Sequence, residues 1–82
     1  MELKGIRLSH GVIFVTDGRI TVRLRTSGAC EMSPITYPQL ERDFAYEPPS
    51  KWDYLTESEI LAHPHGERII ATLNEIHQKY GI

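Results

Sequence analysis

The histidines, a single cysteine and a few closely spaced carboxylates are the residues of this chain whose types could do chemistry. His63, His65 and His77, with Glu67 between them, form a metal-ligand set by composition. Their spacing argues against a metal. His63 and His65 straddle Pro64 at a helix start, and His77 falls about three turns further along the axis, whereas the ligands of one ion must converge within a few ångströms. Cys30 with a histidine would make a nucleophile pair, but no signature surrounds either residue, and a partly buried, inert thiol is the plainer reading. Glu57 and Glu59 belong to the first turn of a helix, where negative charge complements the dipole. No glycine-rich loop leads from a strand into a helix, so a phosphate cradle of that kind is not expected. The sequence therefore predicts no enzyme, no bound metal and no cofactor.

The elements that would carry a binding surface are more legible. The chain has 82 residues, 40% of them hydrophobic and 24% charged, the composition of a folded globule with one modest core. No apolar run approaches the ~20 residues of a membrane helix, and the N-terminus lacks a signal-peptide core, so no membrane partner is expected. A lone Cys30 forms no internal disulfide, which fits a cytoplasmic location, or the host cytosol for a phage-encoded chain. Charge is unevenly shared: residues 1–29 carry +3 and residues 30–82 carry −5, giving the overall −2. Such an asymmetry can steer an anionic partner or hold two halves of one fold together.

Residues 1–26 read as strands joined by tight turns. Asp17-Gly18, between Gly11–Thr16 and Arg19–Thr26, is the signal of a two-residue hairpin turn. That turn sets Thr16 opposite Arg19, Val15 opposite Ile20, Phe14 opposite Thr21 and Val12 opposite Arg23. With His10-Gly11 as an earlier two-residue turn, Leu8 lies opposite Ile13 and Ile6 opposite Val15. Paired residues share a face of the sheet. One face then collects Ile6, Leu8, Ile13, Val15, Ile20, Val22 and Leu24, and the other Arg7, Ser9, Val12, Phe14, Thr16, Arg19, Thr21, Arg23 and Arg25.

The rest predicts helices. Thr36 with Gln39, and Thr56 with Glu59, read as capping boxes, stapled by Ile35–Leu40 and Leu55–Ile60. The first helix should run from about Tyr37 to Tyr46, burying Leu40 and Phe44, and stop before the rigid Pro48-Pro49 connector. Trp52 and Tyr54 should pack over one end of the helices. A brief second helix ends at His63-Pro64, and a last helix over roughly 64–80 presents Ile69, Leu73, Ile76 and Tyr80 as one stripe, closed by Gly81. The expected fold is α+β in a single domain. Residues 1–32 form a three-stranded antiparallel meander, or four-stranded if Cys30-Glu31-Met32 joins it, and residues 33–82 a helical half whose C-terminal helix covers one face of the sheet.

The uncovered face carries the functional expectation. Arg7, Val12, Phe14, Arg19, Thr21, Arg23 and Arg25 are not needed in the core, and an aromatic ringed by arginines suits an interface anchor. The expected function is a non-catalytic protein-interaction module, of the kind small accessory or inhibitory proteins of phages and mobile elements provide by occupying a surface of a host machine. The partner is another protein, with a homodimer through the sheet face as one form of it. The alternative is single-stranded nucleic acid, with Phe14 stacking on a base and the arginines tracking phosphates. An overall acidic chain with one aromatic on that face argues against this alternative.

Overall fold

The structure is a computed structural model that describes residues 2–37, 39 and 52–82. It is α+β, as expected, but among these residues its antiparallel sheet has five strands. These are β1 (Lys4–Arg7), β2 (Ile13–Thr16), β3 (Thr21–Leu24), β4 (Cys30–Met32) and β5 (Asp53–Leu55), followed by helices α1 (Glu57–Ala62) and α2 (Gly66–Tyr80). The spatial order is β4-β3-β2-β1-β5, so the meander runs in sequence and β5 returns to the outer side of β1. The helix expected from Tyr37 to Tyr46, with Leu40 and Phe44, and the Pro48-Pro49 connector lie almost wholly outside the described residues.

Turn length decides which side chains face which core. Between β1 and β2, the Leu8 N–H donates to the Val12 carbonyl and the Gly11 N–H to the Leu8 carbonyl, both at 2.9 Å. The loop is therefore three residues, Ser9-His10-Gly11, not a two-residue turn. The positive φ falls on Gly11, at 94°, where glycine carries no Cβ penalty. The extra residue slips the register by one, pairing Ile6 with Phe14 and Gly5 with Val15, and a one-residue slip turns every β1 side chain to the other face. Between β2 and β3 the turn centres on Gly18-Arg19, with the Asp17 carboxylate accepting from the Arg19 and Ile20 N–H groups. Phe14 consequently pairs with Arg23 and Thr16 with Thr21. That shift is two residues, and the faces of β2 and β3 survive it.

The sheet is covered on both sides. On one, Leu3, Ile13, Val15, Ile20, Val22 and Leu24 pack with Ile60, Ile69, Leu73 and Ile76 of the helices. On the other, Ile6, Leu8, Phe14 and Trp52 form a second cluster, against which Val12, Ile35 and Tyr37 pack. Both α1 and α2 follow local signals. Thr56 Oγ1 accepts from the Glu59 N–H, and Glu59 accepts from the Thr56 N–H at 3.1 Å, completing the capping box. Gly81 closes α2 in the left-handed region. Of the expected stripe, Ile69, Leu73 and Ile76 are buried, but Tyr80 is 57% exposed. At the α1–α2 corner a Cβ on Gly66 would stand 2.6 Å from the Ile60 carbonyl oxygen, so only glycine lets the helices approach. Trp52 is buried in the second cluster, while Tyr54 is exposed on β5 with its ring 6.0 Å away.

Candidate functional site

The residues expected to form one arginine and aromatic surface are distributed by the sheet to separate places. Phe14 is 4% exposed and belongs to the second cluster, and Thr21 beside it is equally buried. Val12 is half-buried against the same cluster. Arg7 stands on the opposite, helix-bearing face because of the register slip, and pairs with Asp53 of β5 at 3.4 Å. Arg19 is exposed at the tip of the β2–β3 turn. Only Arg23 and Arg25 remain together, and they converge on Glu31 of β4. Arg25 Nε lies 2.8 Å from Glu31 Oε1, and Arg23 Nη2 bonds the same oxygen. Hydrogen bonds from these guanidinium groups hold the Glu31 carboxyl below its ordinary range. Arg23 Nε is buried with no acceptor among the described residues. An open face anchored on Phe14 is therefore corrected. The cause is the second cluster, which uses that face as core.

The candidate chemical groups are also apart. His63 and His65 are neighbours, with ring centroids 5.7 Å apart and the His65 N–H donating to His63 Nδ1 at 3.0 Å. Burial pushes the His63 imidazole down, with His65 and Arg7 adding repulsion. His77 is instead bound to the β2–β3 turn: its Nε2 lies 2.5 Å from Asp17 Oδ2, and its Nδ1 faces the Ile82 main-chain oxygen. The Asp17 side chain is 7% exposed. Burial alone would raise its carboxyl, but hydrogen bonds from His77 and from the Arg19 and Ile20 N–H groups outweigh burial and hold it low. Nothing local pairs Asp17 with His77 across 60 residues, and sequence reasoning missed this contact. Burial raises the Cys30 thiol, with the Thr72 hydroxyl and Arg68 partly offsetting it. Among the described residues no group of three metal-ligating side chains converges. No helix among them is long and apolar enough to cross a membrane.

Among the described residues the sheet ends on β4 at one side and on β5 at the other. β4 is an outermost strand, and α2 runs alongside it. Two open pockets lie between them, one lined by Cys30, Arg68 and Thr72 and the other by Met32, Ile76, Lys79 and Tyr80, with Glu75 common to both. Met32 is 45% exposed there, an apolar side chain on the outermost strand. The β4 backbone alternates in direction. The Ser33 N–H donates to Thr21 and the Arg25 N–H to the Ala29 carbonyl, both at 2.8 Å. Glu31, midway between Ala29 and Ser33, is therefore a bonded partner of Arg23, and Cys30 and Met32 direct their N–H and C=O groups away from the sheet. The sequence left open whether Cys30-Glu31-Met32 joins the sheet, and edge position depends on where β5 inserts, which no local pattern reports. Comparison with protein-family models, with curated proteins and with solved structures finds no match for this chain.

Proposed function

We infer that the protein is a non-catalytic protein-interaction module whose contact surface is the β4 edge with the adjoining end of α2. The observation that carries this reading is a strand that is outermost among the described residues, flanked by the exposed side chains of Met32 and Tyr80. Edge strands are templates for pairing with another chain, and native proteins usually blunt or cover them. Here two exposed apolar side chains, Met32 and Tyr80, flank it on the helix side, with Glu75 and Lys79 among them. The charged side is a compact Arg23–Glu31–Arg25 cluster, which gives the edge a polar rim. The nucleic-acid alternative loses its stacking platform, because Phe14 is core.

The test is site-directed photocrosslinking in lysate of the source cells. A crosslinker at position 80 should capture a discrete protein adduct, and one at Ser58, exposed on α1, should not. Equal background at both positions would reject the surface. Saturable binding of a labelled oligonucleotide with a steep salt dependence would reject the protein-partner reading.

A further inference from the structure

The β4 edge is short and stopped at both ends. It comprises Cys30–Met32. Before it, the Gly28 N–H is spent on the Arg25 carbonyl and the Gly28 carbonyl accepts from Arg68 Nη1 at 2.8 Å. Beyond it comes Pro34, which has no N–H to offer a ladder. A strand added here must therefore be equally short, and must put side chains of two different kinds on its two sides. Beside Cys30 and Met32 it meets a wall whose apolar members, Ile76 and Tyr80, stand among Thr72, Glu75 and Lys79. Beside Glu31 it meets two arginines sharing one carboxylate, a local excess of positive charge. The pattern that satisfies both sides is apolar–acidic–apolar over three residues.

Cys30-Glu31-Met32 is itself such a segment. We propose that the β4 edge pairs antiparallel with the β4 edge of a second copy of this chain, about a two-fold axis through Glu31. The proposal rests on the protein-interaction reading and names its partner. In this register Cys30 of each copy bonds Met32 of the other, using the backbone groups that point away from the sheet. On the helix side, Met32 and Cys30 of the two copies cover one another beside Ile76 and Tyr80. On the other side, the two Glu31 carboxylates come opposite each other. Like charges directly opposite destabilise a strand pair, but each carboxylate brings Arg23 and Arg25 with it, so cations outnumber acids at the centre. A contact that maps one patch onto itself is isologous and closes as a dimer. Its small area makes the dimer reversible and concentration-dependent rather than obligate.

Sedimentation equilibrium of the purified full chain under reducing conditions, across a wide concentration series, tests this directly. Wild type should pass from monomer to dimer as concentration rises. Met32→Pro removes the outward N–H, which an edge strand tolerates, together with the Met32 side chain that would cover Cys30 of the other copy. It should be monomeric throughout, with the wild-type far-UV circular dichroism spectrum. Glu31→Arg should weaken association at least tenfold by removing the central acids. Amide NMR of wild type on dilution provides a readout free of folding artefacts: the Cys30 and Met32 amides should shift and the Glu31 amide should not. A wild-type chain that stays monomeric overturns the dimer while leaving the interaction reading to its own crosslinking test. A dimer that survives Met32→Pro in a folded chain, or dilution shifts confined to other residues, overturns the β4 edge as its seat.

Discussion

Phe14 and Arg23 sit directly opposite one another on one face of the sheet, yet only one of them is buried. Phe14 joins Ile6, Leu8 and Trp52, whereas the Arg23 guanidinium reaches out to Glu31. Truncating Phe14 to Ala should cost roughly 3–5 kcal/mol, the range for a buried phenylalanine; urea unfolding that finds less than half of this would return Phe14 to the surface. Asp17 supplies a second test at this scale. Its folded carboxyl lies below the ordinary 3.8. A group depressed in the folded state stabilises fully above its unfolded value and loses that contribution as pH falls through its lower folded value. Stability should therefore decline on acidification below about pH 4, and Asp17→Asn should flatten that part of the thermal-midpoint profile. An unchanged acid limb would count against the His77 contact as its cause.

Elements were legible where their signals are local. The Thr56–Glu59 box and the Gly81 cap each lie within a few residues of what they stabilise, and both formed as the spacing predicts. Thr56→Ala should cost about 0.5–2 kcal/mol, measured by chemical denaturation. Gly66→Ala should cost about 1–3 kcal/mol, because the new methyl meets the Ile60 carbonyl and the α1–α2 corner must open. Register was less legible, for a physical reason. Asn-Gly-like dipeptides announce a turn, but a two-residue and a three-residue loop share the same glycine. At Gly11 that single uncounted residue moved Ile6 and Leu8 to the Phe14 side and Arg7 to the helix side. β5 was missed because Asp53-Tyr54-Leu55 has no alternation of its own; it is a strand because β1 offers it an edge. The candidate site inherited the register error, since with Ile6 and Leu8 on its side the Phe14 face is core rather than open surface.

At the scale of the whole molecule, the sheet separates two apolar clusters of unequal size among the described residues. The larger depends on α1 and α2, and the smaller on Trp52 with Ile35 and Tyr37. Leu73 is fully buried at the centre of the larger core, and Leu73→Asp should abolish the cooperative thermal transition, because an unpaired charge there has no acceptable environment. A wild-type midpoint in that variant would mean that α2 does not pack on the sheet.

The return of β5 to the outside of β1 also sets an order in time. The pairings of β1 through β4 join neighbours in sequence, whereas Arg7 meets Asp53 only across 46 residues. Closing the longer loop costs more chain entropy before any contact rewards it. The meander should therefore be formed in the folding transition state and the β5–β1 seam should close after it. Stopped-flow kinetics would separate the two stages. Val22→Ala, in β3, should slow folding, while Leu55→Ala, in β5, should chiefly speed unfolding. As a ribosome releases this chain, the meander is complete well before Asp53 emerges, and the outer side of β1 stays unpaired until then.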